Sequence, residues 1–255
     1  MKDKSPKIVL EEYYKKTAPR YDEAHQQEVE HDVALKIMAG IASSFSIKNI
    51  LDVGARTGRG SRLFSQILPH VNVVSIDLSR DLLQEGIRKT SLSAQRVCVA
   101  NATKLPFPDD AFDLSLETAA LHHVPDSAAV VKEMPRLAKF GIVISDSNMY
   151  VDGSSRGFLP KGLVGSVIKF ALYKTGVWKT LKKLCTGKEW SYSEGEGVFW
   201  TYSAYETLLL LKEQCTQVFT IPLKGKEWMS EILLLSALRM LVIGMKNRLG
   251  ACGKN

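Results

Sequence analysis

Two short apolar runs constrain this chain more than any other feature. Lys48-Asn-Ile-Leu-Asp-Val-Gly54 stops on a glycine, and Asn72-Val-Val-Ser-Ile-Asp77 stops on an acid. Each suits a strand covered on both faces. Between them, residues 59–68 set Leu63, Phe64, Ile67 and Leu68 at helical spacing. Strand, glycine turn, helix and second parallel strand make one βαβ unit. Sheets built from such units bind ligands beyond the carboxyl ends of their strands.

The alternation continues downstream. Ser79 and Asp81 are placed to cap a following helix. Further strands are expected at 95–100, 111–117 and 141–145, with a turn-rich link at 105–110 and a helix over 126–138. Residues 8–44 read as helix, broken near Thr17-Ala-Pro19 because proline disfavours helix in the residue before it. The rhythm stops after residue 148 and resumes with a helix at 203–213 and strands at 216–221 and about 238–245. The expected fold is α/β: a Rossmann-like, seven-stranded, mostly parallel sheet with helices on both faces and an inserted helical cap. The expected divisions are a helical lid at 1–46, a core at 47–148, the cap at 149–200, and completion of the sheet at 201–255.

An apolar fraction of 45% and a charged fraction of 24% are ordinary for a chain that buries a core. The cysteines at 98, 185, 215 and 252 form no C-x-x-C pair, so no zinc or dithiol motif is read and no metal is expected. No signal peptide is read at the start, and no segment reaches the ~20 apolar residues of a membrane span. A reducing, cytoplasmic setting is the expectation. The net charge of +7 is concentrated between Asp152 and Trp190, where eight basic residues face two acidic ones. A nucleic-acid footprint is not expected to be confined to one such segment.

The turn after the first run reads Asp52-Val-Gly-Ala-Arg-Thr-Gly-Arg-Gly60, with glycines at 54, 58 and 60. A dinucleotide loop needs G-x-G-x-x-G, and a P-loop needs a G-K-[ST] ending; neither is present. Asp77, acceptor-only with two oxygens, suits a ribose diol, and Leu78 directly after it suits the face of a purine. A sharp glycine turn beside such an acid describes an adenosine site without a phosphate cradle.

From Ile50 to Asp146 the chain resembles the class I S-adenosylmethionine methyltransferases, and within them the group similar to the ubiquinone and menaquinone biosynthesis methyltransferases. The resemblance rests on Leu51-Asp-Val-Gly54 with Thr57-Gly-Arg-Gly60, Ser75-Ile-Asp77, Ala100-Asn-Ala-Thr-Lys-Leu-Pro-Phe-Pro-Asp109, Phe112-Asp113 and Leu121-His-His-Val124, in that order. Tyr21-Asp22 is similar to that group's opening segment. The resemblance implies S-adenosyl-L-methionine as cofactor. Gly54, Thr57 and Gly58 then line its methionine part and Asp52 helps orient it. Asp77 takes the ribose diol, Asn101 and Ala102 sit at the adenine edge, and Tyr21 reaches the cofactor from the lid. The chain departs from the family at Arg56, where the family has glycine. Either φ is positive there and arginine is strained, or the side chain projects outward.

His122 and His123 follow the fourth strand and are the candidates for taking a proton from an acceptor; the simpler reading has them shape the loop. Glu117 and Thr118 end that strand, as contacts for substrate or the cofactor's amino group, or as structure. Trp190, Tyr192, Trp200 and Tyr202 lie in a glycine-rich aromatic stretch that suits a flat or apolar substrate, or a hinge. Glu194 and Glu196 bind a polar substrate group or face solvent. The insertion from Phe158 to Leu184 mixes apolar residues with spaced lysines. Its plainest reading is a lid; the other is a peripheral membrane contact admitting a lipid-like or prenylated acceptor. The function expected is methyl transfer to a small molecule. The runner-up is a non-catalytic adenosine-binding partner protein with a degenerate glycine loop. A nicotinamide oxidoreductase is disfavoured by the glycine spacing. The fourth-strand end, Glu117-Thr-Ala-Ala, departs from the N-P-P-Y pattern of amino-methylating nucleic-acid enzymes.

Overall fold

A computed structural model describes residues 4–26, 29–89, 92–147, 177–225 and 237–246, together with Ile168, Ala171, Leu172 and Thr175. The chain opens with α1 (Pro6–Thr17), which starts where Ser5 accepts from the Ile8 N–H and proline takes the first position. A 3₁₀ turn at Ala18–Arg20 and a single helical turn, α2 (Tyr21–Ala24), follow, then α3 (Val29–Ser44). The break expected near Thr17-Ala-Pro19 is present, and a second one separates α2 from α3. α3 buries Ala34, Leu35, Met38, Ala39 and Ala42 along one face. α1 buries Val9, Tyr13 and Tyr14.

Strands β1 (Asn49–Val53), β2 (Asn72–Asp77), β3 (Val97–Val99), β4 (Phe112–Thr118) and β5 (Ala138–Ser147) alternate with α4 (Arg59–Ile67), α5 (Arg80–Arg88) and α6 (Ser127–Leu137). β3 is shorter than expected because Ala94–Arg96 closes into a 3₁₀ turn. β5 is longer because β4 supports one edge and a later strand the other. After α7 (Val177–Thr186), a hairpin of β6 (Ser191–Ser193) and β7 (Gly197–Phe199) leads to α8 (Ala204–Lys212), β8 (Gln217–Gly225) and β9 (Ala237–Met245).

One sheet runs β3-β2-β1-β4-β5-β9-β8. Its first five strands are parallel, and β9 is antiparallel to both β5 and β8. Neighbouring residues of β1 serve opposite cores, as strand alternation requires. Leu51 and Val53 join the layer with Met134 and Leu137 of α6, and Ile50 joins the layer with Met38 of α3 and Phe64 of α4. Burying each such large side chain contributes roughly 1.5–3 kcal/mol. Strand order reverses at β1, which lies between β2 and β4. The carboxyl ends of β1 and β4 therefore flank the crevice where such sheets bind ligands. A small third cluster of Tyr13, Tyr14, Ala18, Tyr21 and Leu82 packs the N-terminal segment against α5, beside that crevice.

The first part of the insertion, including Arg156, Lys161, Lys169 and Lys174, lies outside the described residues, as does Cys252. Among the described residues the three other cysteines are unpaired, and no helix is long and apolar enough to cross a membrane.

Candidate active site

The glycine turn folds against β2. The N–H groups of Gly54 and Ala55 both donate to the Ile76 carbonyl at 2.9 Å. Gly54 has φ +74°, and a Cβ there would lie 2.3 Å from the Ala120 Cβ, so only glycine fits between the β1 and β4 ends. Gly58, at φ +86°, starts α4. A Cβ on Gly60 would meet the Asp52 carboxylate at 2.7 Å. That carboxylate is buried, and its Oδ2 has no hydrogen-bond partner among the described residues. Burial, aided by the charge of Asp77, pushes the Asp52 pKa up to about 7.

Asp77 faces the turn. Its Oδ2 accepts from the Arg56 N–H at 2.9 Å and its Oδ1 from the Ser79 N–H at 2.8 Å. A carboxylate offers about four lone-pair positions, so roughly half of its capacity is open. Burial raises its pKa, and the backbone N–H groups oppose that rise. Leu78 beside it is 53% exposed, a large apolar side chain left in solvent at the strand end. At the β3 end, Asn101 Oδ1 accepts from both the N–H and the hydroxyl of Thr103 at 3.0 Å. Asn101 thereby fixes its own turn, and Ala102 packs against the core.

Arg56 decides the other side of the crevice. Its φ is +54°, the left-handed conformation the family's glycine adopts freely and arginine does not. The side chain runs inward: the guanidinium donates to the Ala119 carbonyl and lies 5.8 Å from the centre of the Tyr21 ring. Ala119 itself has φ +59°. Two residues in a region L-residues rarely occupy thus face each other from the β1 and β4 turns, joined by one hydrogen bond. Burial disfavours the guanidinium charge, but Tyr21, Tyr14, Asp77 and Glu117 outweigh it and keep Arg56 protonated.

The N-terminal segment packs over this turn. Tyr21, Asp22, His25, His31 and Leu35 close over Asp52–Gly60, leaving about 40 Å³, room for no more than a few waters. The Thr57 hydroxyl donates to Asp22, Lys89 Nζ lies 3.1 Å from Asp22, and Arg59 donates to the His25 carbonyl. Tyr21, Asp52, Gly54, Thr57 and Gly58 are therefore brought together, with Thr57 bound to the lid. Arg59 carries no role in the sequence reading, and Asp22 enters it only within the Tyr21-Asp22 pair; both lie at this crevice.

Glu117 is fully buried, and its Oε1 accepts from the Ala120 and Leu121 N–H groups. Burial and the charge of Asp146 push its pKa well above the carboxylate range. With Oε1 it caps the 3₁₀ turn Leu121–His123, while its buried Oε2 has no hydrogen-bond partner among the described residues. That turn presents the histidines. His122 Nδ1 lies 2.5 Å from Asp146 Oδ1, and the His122 N–H donates to Asp146 Oδ2 at 3.1 Å. His123 Nδ1 lies 2.7 Å from the Val198 carbonyl, so that nitrogen carries the proton. The two Nε2 atoms turn toward Glu196 Oε2, at 3.7 and 3.9 Å. Burial opposes the His122 charge, but Asp146 and Glu196 prevail and lift its pKa to about 9. Burial and the neighbouring His122 charge hold His123 well below the usual range. Glu196, facing the protonated His122 ring at 3.7 Å, falls to about 2. Asp146 went unrecognised in the sequence as a partner of the histidines; the signal was its place at the end of β5, one strand over from β4.

The aromatic stretch divides. Trp200 donates its N–H to the His122 carbonyl at 2.7 Å, Tyr192 is 38% exposed and edge-on to Tyr13, and Trp190 lies under Lys188. Tyr202 is a correction: it is 2% exposed in the core and its hydroxyl pairs with Thr207 at 2.8 Å.

Comparisons with known proteins agree with this geometry. Residues 51–144 match the family described as a methyltransferase domain. The demethylmenaquinone methyltransferase of Listeria welshimeri is 34% identical over 97 residues, 36% of this chain and 41% of that protein. Its counterpart in Geobacillus sp. (strain WCH70) is 33% identical over 98 residues, covering 37% and 42%. The chain thus spans about two fifths of the length of these curated relatives. Among solved structures, the magnesium protoporphyrin IX methyltransferase of Synechocystis PCC 6803 with bound S-adenosylmethionine has a TM-score of 0.59 at 12% identity, covering 96% of this chain and 98% of that one. The PH0226 protein of Pyrococcus horikoshii has a TM-score of 0.57 at 18% identity, covering 92% and 99%. The last two likenesses are likenesses of fold.

Proposed function

From a core, residues 51–144, that belongs to the methyltransferase domain family, we propose that this chain binds S-adenosylmethionine and transfers its methyl group to a small-molecule acceptor. The observation that carries this reading is the Asp77 carboxylate turned onto a turn in which Gly54 cannot be replaced. When bound, the cofactor supplies an already activated methyl on a sulfonium. The residues of the chain then have three tasks: holding, aligning and excluding water. Asp77 holds the ribose with its free lone pairs. Asp52, with an unpartnered buried oxygen, offers an acceptor to the ammonium of the methionine part. Leu78 covers the purine, and the Asn101 turn borders the adenine. Tyr21 and the rest of the lid keep water out.

Where an acceptor must lose a proton, His123 is the group placed to take it. His122 is already protonated between two carboxylates at neutral pH, whereas His123 keeps a free lone pair on Nε2. The acceptor's class is read from its surroundings. A hairpin with Tyr192 exposed, preceded by a lysine-bearing helix with Val177 and Leu184 exposed, suits an apolar or prenylated molecule delivered from an anionic membrane surface.

Arg56 favours a second reading, a non-catalytic adenosine-binding partner protein. Its guanidinium stands where the sulfonium's own charge would be repelled. Incubation with methyl-labelled S-adenosylmethionine and a panel of quinols, phenols and other small metabolites separates the two. Enzyme-dependent label in one acceptor class is expected. Binding of the cofactor without any labelled product supports the partner reading and ends the enzymatic one.

A further inference from the structure

His122, His123 and Glu196 converge on one point that neither the fold nor the cofactor reading requires. Their candidate donor atoms, one from each side chain, lie within 4.8 Å of one another. We propose that these three side chains form a binding site for a divalent transition-metal ion, zinc being the best match to the ligand set.

Each ligand is prepared for the role. A metal-bound histidine ordinarily donates its other ring N–H to a carboxylate or a backbone carbonyl, which fixes the tautomer and aims the free lone pair. Both arrangements are present: His122 Nδ1 is held by the fully buried Asp146 carboxylate at 2.5 Å and His123 Nδ1 by the Val198 carbonyl at 2.7 Å. Both Nε2 atoms point at the same carboxylate oxygen; an ion binding there displaces the proton that His122 Nε2 carries in the metal-free protein. Zinc bonds of 2.0–2.2 Å in tetrahedral geometry set ligand atoms about 3.4 Å apart. The Glu196 spacings of 3.7 and 3.9 Å therefore need to close by roughly half an ångström, and the widest donor spacing, within 4.8 Å, by up to about 1.4 Å.

The hairpin that carries Glu196 can supply that closure. It is anchored on both sides of the ligand: Tyr13 donates to the Gly195 carbonyl at 2.6 Å, and Val198 accepts from His123. The Glu196 side chain itself is half exposed, so an ion has a way in from solvent. Two imidazoles and a carboxylate suit zinc better than magnesium or calcium, which take oxygen ligands. Three protein ligands leave at least one coordination position open, the arrangement of catalytic rather than structural zinc sites. On the methyl-transfer reading that position receives an acceptor oxygen and lowers its pKa, and His123 then binds metal in place of a proton. Metal binding itself does not depend on that reading.

The test uses the full chain, stripped with a chelator and checked for retained fold. Cobalt(II) is titrated in and followed by its ligand-field absorption, then displaced with zinc. One cobalt per chain is expected, displaced by one zinc, without the thiolate-to-cobalt charge-transfer band that a cysteine ligand gives. E196Q weakens binding by about ten- to a hundredfold, and zinc raises the melting temperature of the wild type but not of E196Q. E194Q, on the same hairpin, binds as the wild type does. No saturable cobalt or zinc binding, a thiolate band, or affinity unchanged in E196Q overturns the proposal and leaves an ion pair between His122 and Glu196. Cofactor affinity is measured on the same metal-free protein, so either idea fails without the other.

Discussion

At the end of the glycine turn proposed to take the ribose, the hydrogen bonds to Asp77 come from backbone: the Arg56 and Ser79 N–H groups hold its carboxylate in place. At the end proposed to take the sulfonium, three residues along from Asp52's neighbour Val53, a side chain fills the space instead, with the Arg56 guanidinium bonded across to Ala119. The ribose end is organised before any ligand arrives. The sulfonium end is organised around a cation of its own. Both Arg56 and Ala119 hold φ values that cost of order 1–3 kcal/mol each. Strain of this kind is retained where surroundings impose it, and here it joins the two strand ends that flank the crevice.

The largest effect that sharpens this contrast is at the preorganised end. Asp77→Ala removes charged hydrogen bonds worth about 1.5–3 kcal/mol each. A loss of S-adenosylmethionine affinity of about a hundredfold is expected in equilibrium dialysis, with the fold retained by circular dichroism. An unchanged affinity would break the comparison, because the ribose end would then contribute nothing.

A smaller effect belongs to Asp52, at the strained end. Its folded pKa, raised to about 7 by burial and Asp77, exceeds the ordinary carboxylate value it has when unfolded. The folded state therefore holds more protons between about pH 4 and 7. Stability from this group falls as pH rises through that window, and the deficit is complete above it. Asp52→Asn cannot ionise. Its melting temperature, relative to the wild type, should climb between pH 5 and pH 8 by several degrees, corresponding to about 2 kcal/mol. A gap that stays constant across that range contradicts a buried, poorly partnered carboxylate.

The two ends also differ in how far the sequence foretells them. The ribose end is written in local pattern: an apolar run, a terminal acid, and an exposed Leu78 after it. The sheet follows from the same kind of signal, since strand periodicity and glycine turns are local. The helix break at Thr17-Ala-Pro19 is legible because proline acts locally, whereas β3 is shorter than its apolar run suggests, because the 3₁₀ turn at 94–96 depends on how neighbouring elements pack. Arg56 shows what pattern reading leaves open. Its identity signals strain, but the inward path of the guanidinium depends on a carbonyl 63 residues later. The same holds for the histidines. Their adjacency to β4 is legible, whereas Asp146 and Glu196 are brought to them by the parallel register of β4 with β5 and by the hairpin.

The account stands on one claim, that the glycine turn and Asp77 enclose an adenosine whose far end Arg56 obstructs. Calorimetric titration of S-adenosylmethionine into the wild type and into Arg56→Gly tests it most directly. Saturable binding to both is predicted, tighter by about tenfold in the glycine variant, which corresponds to about 1.4 kcal/mol. Absence of saturable binding in both proteins would contradict the claim, whatever the fold.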